Sequence, residues 1–139
     1  MRLLDPDVGE VLDRMSILDL KIDVGMQKGV STEAWEQERE ALNLFLQKKI
    51  QAWQSTATAQ TTEDWMGYNA QLKNTNLALW RAEDDIRALR KEESLPEFYQ
   101  EVALVALRIA DLNDARANLV KKLNAVFGVH NEEKIYNVQ

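Results

Sequence analysis

Residues 65–89, WMGYNAQLKNTNLALWRAEDDIRAL, carry the pattern that decides the fold of this chain. Apolar or small side chains recur there in alternating steps of three and four residues, at Trp65, Tyr68, Leu72, Thr75, Leu79, Ala82, Ile86 and Leu89. This heptad-like register forms one stripe along an α-helix, and helices with such stripes pack nearly parallel or antiparallel to each other. The stretch therefore predicts a long helix, over residues 63–92, inside a helical bundle.

Three further helices are predicted, over residues 6–28, 33–54 and 96–127. Each of these segments repeats its apolar residues with helical spacing, and none alternates them as a strand would. Only a few residues around 93–95 join the last two helices, so these two should form an antiparallel hairpin. The predicted fold class is all-α: a four-helix bundle-like domain with a short polar C-terminal tail after Gly128.

The expected helix starts depend on residues that cap the first turn. They are Asp5 followed by Pro6 for the first helix, Ser31 or Thr32 for the second, Thr61 or Thr62 for the third, and Ser94 with Glu97 as a capping box for the fourth. Gly29 should end the first helix, because glycine adopts the left-handed conformation without strain. The uncharged, threonine-rich residues 55–62 should form the longest loop.

The composition fits one folded domain over residues 1–139. Hydrophobic residues make up 45% of the chain and charged residues 29%, with only 5 Gly and 2 Pro, and this balance is typical of a folded helical protein. The chain contains no cysteine. It therefore has no disulfides, no thiolate nucleophile and no cysteine-based metal site.

Charge and hydropathy limit the classes of partner. The formal net charge of -6 opposes binding to nucleic acid, since no basic cluster offsets it. Residues 1–6 turn polar too early for a secretory signal, and the best apolar run, residues 102–107, is much shorter than the ~20 residues of a membrane helix. We therefore expect a cytoplasmic protein without nucleic-acid or membrane partners, and the sequence leaves a homo-oligomer open.

One charged residue interrupts the apolar register of the fourth helix. Arg116 stands between two leucines of that register, and an unpaired buried guanidinium costs on the order of several kcal/mol. We therefore predict that Arg116 pairs with a carboxylate, from Glu83 or Asp84 on the third helix or Asp13 on the first. The favoured interpretation is a structural ion pair that fixes the helix register, and the alternative is a pocket for a small polar or anionic ligand.

The candidate ligand-binding residues extend this patch along the first, third and fourth helices. They are Glu10, Asp13, Lys21, Asn76, Trp80, Glu83, Asp84, Arg87, Asn113 and Arg116. We expect no bound metal and no cofactor, because cysteine is absent, histidine occurs once, and the consecutive acids 83–85 point in different directions around their helix. No catalytic residue is assigned, and Ser16 is interpreted as bonding back to its own helix.

Residues 9–21, GEVLDRMSILDLK, resemble the opening signature of a family of small uncharacterised bacterial all-α proteins, a domain of unknown function. In that signature Gly-Glu, an Asp followed by a basic residue, Ser or Thr with Ile-Leu, and a closing Lys recur. The resemblance continues at residues 79–87, 113–116 and 132–136. It implies a shared fold and a link to surface-polysaccharide synthesis. It also implies that the family's characteristic polar and aromatic positions are Glu10, Asp13, Lys21, Trp80, Glu83, Asp84, Arg87, Asn113, Arg116, Glu133, Lys134 and Tyr136.

The leading functional hypothesis is a non-enzymatic helical domain that binds a partner protein, or a small polar or anionic ligand, where the first, third and fourth helices meet. The alternative is an all-α enzyme acting on a nucleotide, a sugar nucleotide or a similar anion. Its Mg²⁺ ligands would be Glu10, Asp13, Glu83 and Asp84, and its phosphate ligand would be Arg87 or Arg116. A chorismate-mutase-like enzyme is a further alternative, weakened because its ring of basic residues is not evident.

Overall fold

The computed structural model describes residues 7–94 and 96–128 and folds them into four α-helices. The helices are α1 (Val8–Lys28), α2 (Glu33–Gln54), α3 (Ala59–Leu89) and α4 (Phe98–Val126), and a 3-10 turn, Arg90–Glu92, follows α3. No strand occurs in this part of the chain. The predicted all-α, four-helix fold is therefore confirmed, while the predicted caps Asp5 and Pro6 and the predicted polar tail lie outside the described residues.

The start of α3 differs from the prediction. The N-cap is Thr58, whose Oγ1 accepts a hydrogen bond from the Thr61 backbone N–H (3.1 Å), while the Thr61 hydroxyl oxygen accepts one from the Thr58 N–H (2.9 Å). This reciprocal capping satisfies two backbone donors that the first turn would otherwise leave unpaired. The helix therefore begins at Ala59, and the expected long loop over residues 55–62 is wrong.

The other helix ends agree with the prediction in part. Gly29 ends α1 with φ 71 and ψ 22, the left-handed conformation. Thr32 is the N-cap of α2, although its hydroxyl donates to the Glu36 carboxylate (2.9 Å) and caps no backbone N–H. The predicted capping box from Ser94 to Glu97 is wrong. Glu97 itself is the N-cap, with right-handed helical backbone angles and no side-chain cap, and because α4 begins only at Phe98, Ser94 lies outside its first turn.

The α3–α4 hairpin forms the most extensive helix contact of the fold, as predicted. α1 packs against both helices of the hairpin, and α2 packs on α1. At the far end of α2, the indole Nε1 of Trp53 donates to the carbonyl oxygen of Val126 (3.2 Å), and its ring lies 4.7 Å from that of Phe127. Trp65 at the start of α3 completes this aromatic cluster, 5.9 Å from Phe127.

The main hydrophobic core lies where all four helices meet. Its buried members are Val8, Val11, Leu12, Met15, Leu46, Leu72, Leu119 and Leu123. These residues place the core around the first half of α1, the start of α3 and the end of α4. We call this part of the molecule the inner body.

The rest of the hairpin is not covered in the same way. α3 and α4 are 31 and 29 residues long against 21 for α1, so α3 is longer than α1 by about 15 Å at the rise of an α-helix. Among the described residues from 83 to 112, none is buried. We call residues 83–112 the outer hairpin. No helix of the described ranges is long and apolar enough to cross a membrane.

Candidate functional site

Arg116 of α4 pairs with Asp13 of α1. The guanidinium Nε donates to both carboxylate oxygens, at 2.9 Å to Oδ1 and 3.0 Å to Oδ2, and Nη2 also donates to Oδ2. Charge-assisted contacts of this kind are among the stronger hydrogen bonds in proteins. The prediction that Arg116 pairs with a carboxylate is confirmed, and of the three acids that were considered the partner is Asp13.

A buried amide from α3 also binds the Arg116–Asp13 pair, and we call the contacts among Asp13, Ser16, Asn76 and Arg116 the polar junction. The Asn76 amide nitrogen donates to Asp13 Oδ1 (2.8 Å) and to the Ser16 hydroxyl oxygen (2.6 Å), and both Asn76 and Ser16 are buried. A single carboxylate on α1 thus accepts hydrogen bonds from α3 and from α4. Ser16 was predicted to bond back to its own helix, and its hydroxyl oxygen accepts this bond from another helix.

The Arg116–Asp13 pair is only partly buried. The exposed fraction of the side chain is 34% for Arg116 and 13% for Asp13, so the premise of a fully buried guanidinium is wrong. The hydrogen bonds to Asp13 raise the pKa of Arg116 above its ordinary value, although burial opposes this, and the charges of Asp13 and Glu83 raise it further. Arg116 therefore stays charged, with Asp13 as its direct partner and Glu83 as a more distant one.

Several of the other candidate residues interact elsewhere or lie on the surface. The charge of Lys21 acts on Glu38 of α2, and Asp84 pairs with Arg87 on the exposed surface of α3. Glu10 and Asn113 are exposed, and Trp80 is half-buried. Among the ten candidates, the observed hydrogen bonds thus join Asp13 with Asn76 and Arg116, and separately Asp84 with Arg87.

The acids proposed as Mg²⁺ ligands are not assembled into a site. Within residues 7–94 and 96–128, no group of three or more His, Asp or Glu side chains is arranged to hold a metal ion. Asp13 instead has both oxygens engaged by Arg116 and one also by Asn76. A carboxylate has about four acceptor positions, so these contacts use most of its capacity.

Two residues that were not among the predicted site residues, Gly9 and Asn124, position Asp13. The backbone N–H of Gly9 donates to the side-chain oxygen of Asn124 on α4 (2.7 Å). A Cβ atom on Gly9 would lie 2.5 Å from the carbonyl oxygen of Val120, so only glycine lets α1 lie this close to α4. This contact, one helical turn before Asp13, brings its carboxylate against Arg116. The available signal was weak: Asn124 directly follows Leu123 of the apolar register.

A groove of about 440 Å³ lies between α3 and α4, away from the candidate residues. Gln71, Asn74 and Asn118 contribute carboxamides to it, and Leu119 and Lys122 line it as well. The Lys122 ammonium also lies over the Tyr68 ring, 5.5 Å from its centroid. None of the residues predicted to bind a ligand lines this groove.

Comparison with known proteins identifies no relative of this chain. No protein-family model matches it, and none of the curated proteins or solved structures matches it either. The resemblance of residues 9–21 to a family of unknown function, and the link to surface-polysaccharide synthesis that it implies, therefore stay predictions.

Proposed function

We propose that this chain is a helical interaction domain that binds another protein through the outer hairpin. The observation that carries this proposal is the exposure of two leucines in the first half of α4. Leu104 is 65% exposed and Leu107 is 66% exposed, and Tyr99, one to two turns earlier, is 80% exposed. An apolar face on a rigid helix is a common form of protein docking surface.

The polar junction is better explained as a structural contact than as a ligand site. Asp13 is engaged by Arg116 and Asn76, and Asn76 and Ser16 are buried. A ligand would have to displace hydrogen bonds that hold three helices together. The enzymatic alternative also requires Asp13 as a metal ligand, although its oxygens already accept four hydrogen bonds.

The surroundings of the two leucines support docking. Ala103, Ala106 and Ala110 leave this part of α4 without long side chains on the neighbouring face, and all three are exposed. Small residues let the backbone of a second helix approach closely, and a helix laid along such a face buries its apolar anchors at steps of three and four residues. The outer hairpin thus offers a continuous face, whereas the inner body uses its apolar residues in its own core.

Site-specific photo-crosslinking in the native host tests this proposal. A benzophenone side chain replaces Leu104, and a matched variant carries it in place of Leu44, which is 52% exposed on α2. We expect a crosslinked product of defined mass from position 104, none from position 44, and loss of the product when Leu107→Asp is added. Equal yields from the two positions, or a product that Leu107→Asp does not reduce, would contradict the proposal.

A further inference from the structure

We infer that the partner of the outer hairpin is a second copy of the same chain, docked antiparallel along α4. This inference rests on the proposed function, because it assigns an occupant to the same surface. It is carried by the self-complementary order of residues 100–111, in which the two leucines meet each other and the two polar end positions, Gln100 and Asp111, meet each other when the helix is turned end to end.

The docking seam is a second stripe on α4, on the side of the helix away from the stripe that packs on α3. Its positions follow steps of four, three and four residues: Gln100, Leu104, Leu107 and Asp111. Residues at this spacing share one face of a helix, as in the seam of a coiled coil. All four are exposed. The seam is therefore available in the single chain, with its two leucines at the centre and a polar residue at each end.

An antiparallel pair with its two-fold axis between residues 105 and 106 matches this seam to itself. Leu104 of one copy then faces Leu107 of the other, and Gln100 faces Asp111, so the amide can donate to the carboxylate. Because a two-fold interface repeats every contact, the leucine contact and the amide contact each occur twice. A parallel pair would instead place Asp111 against Asp111 and would lose this match.

The charges beside the seam are complementary in the same register. Glu101 and Arg108 follow Gln100 and Leu107, so they lie on one side of the seam, and the antiparallel pair brings Glu101 of each copy beside Arg108 of the other. Within one chain Arg108 makes a long contact with Asp85, at 3.9 Å, and the two side chains are 55% and 56% exposed. Small residues, Ala103 and Ala110, occupy the opposite side of the seam and allow close approach.

The overlap between the two copies is short. About 16 residues of each copy overlap, residues 98–113, over about 24 Å of helix. The Arg116–Asp13 pair lies beyond this stretch on α4, so in an antiparallel pair the two copies of this ion pair lie at opposite ends of the overlap. A seam of this length is at the small end of stable interfaces, so we expect a reversible dimer whose population depends on concentration.

Sedimentation velocity on the whole chain, from about 1 µM to about 1 mM, tests this inference through charge reversal. Glu101→Arg or Arg108→Glu alone places like charges together twice, and we expect dimerisation to weaken at least about tenfold. Mixing these two single variants restores both ion pairs and should yield a heterodimer, and the double variant E101R/R108E should recover the wild-type affinity. Glu63→Arg, an exposed reversal on α3, serves as the matched control and should leave the dimer unchanged.

The outcomes separate this inference from the proposed function. A wild-type chain that stays monomeric, together with a crosslink from position 104 to a different protein, would overturn the second copy as partner and leave the docking function standing. A monomer that gives no crosslink would overturn both. A dimer that ignores the two reversals, or single variants that do not associate when mixed, would show that another surface is used and would overturn the inference.

Discussion

The two halves of the α3–α4 hairpin share one apolar repeat but differ in what covers it. In the inner body the repeat is buried, with Leu72 and Leu123 fully inaccessible because α1 packs across both helices. In the outer hairpin the same register continues through Ile86, Val105 and Ile109, which are only half-buried. The repeat thus determines how the two helices pair, while a third helix determines which part becomes a core.

The largest expected effect is the difference in the free energy of unfolding between truncating a leucine in the inner body and truncating one in the outer hairpin. Leu72→Ala removes a fully buried side chain and should lower the free energy of unfolding by about 2–5 kcal/mol, since the transfer energy is lost and a cavity remains. Leu104→Ala, at a position that is 65% exposed, should change it by less than about 0.5 kcal/mol. Urea denaturation of both variants at low protein concentration measures this, and similar losses would mean that the outer hairpin is covered.

The next effect concerns the polar junction of the inner body. Arg116→Ala should lower the free energy of unfolding by about 2 kcal/mol, less than the 3–5 kcal/mol of a fully buried pair, because the Arg116 side chain is 34% exposed. The matched control is Arg87→Ala, which breaks an exposed pair with Asp84 and should cost less than about 0.5 kcal/mol. A double-mutant cycle should give coupling above about 0.5 kcal/mol between Arg116 and Asp13 and none between Arg116 and Asp84. If Arg116→Ala leaves the free energy of unfolding unchanged, the polar junction has no structural role.

A smaller effect is expected where α1 meets α4. Gly9→Ala should lower the free energy of unfolding by about 1–2 kcal/mol, since its Cβ would lie 2.5 Å from the Val120 carbonyl oxygen. Gly67→Ala is the control within α3, where nothing lies within 4 Å of the added atom, and it should stabilise the protein by about 0.5–1 kcal/mol. Thermal unfolding of the two variants should therefore shift in opposite directions, and a shift in the same direction would contradict the close packing at Gly9.

The fold was predictable from the sequence because helical periodicity is a local property. The repeat over residues 65–89 predicts α3 and its hairpin with α4, and both are confirmed. The exact start of α3 was missed because Thr58, Thr61 and Thr62 are all good capping residues, and their sequence does not rank them. The helix lengths did not predict which part of the hairpin stays uncovered, because this depends on where α1 lies along it.

The candidate site was predictable only in part. A guanidinium in an apolar register requires a carboxylate, and this rule alone correctly predicted that Arg116 has an acidic partner. The choice of Asp13 over Glu83 depends on how α1 is rotated about its own axis. That rotation follows from the contact of Gly9 with α4, 115 residues away from Asn124. No local pattern contains such a long-range contact, and for the same reason the partial exposure of Arg116 could not be predicted.

The smallest expected effect is a pH dependence at the contact between α1 and α2. Arg14 donates from Nε and Nη2 to the Glu38 carboxylate, at 2.7 and 2.9 Å. These hydrogen bonds lower the pKa of Glu38 below its ordinary value of 4.5, burial opposes the shift, and the charges of Arg14 and Lys21 add to it. Both side chains of the pair are 41% exposed, so solvent limits the contribution to about 1 kcal/mol at most.

The sign of this dependence follows from the direction of the pKa shift. Because the pKa of Glu38 is lower in the folded than in the unfolded chain, its contribution is fully present above 4.5 and is lost as the pH falls through the lowered folded value. The free energy of unfolding of Glu38→Gln should therefore lie below that of the wild type at neutral pH and should meet it in acid. Urea denaturation at a series of pH values measures the difference, with Glu40→Gln, exposed on the same helix, as the control. A difference that stays constant with pH, or that grows in acid, would mean that α2 is held by its apolar contacts without help from this ion pair.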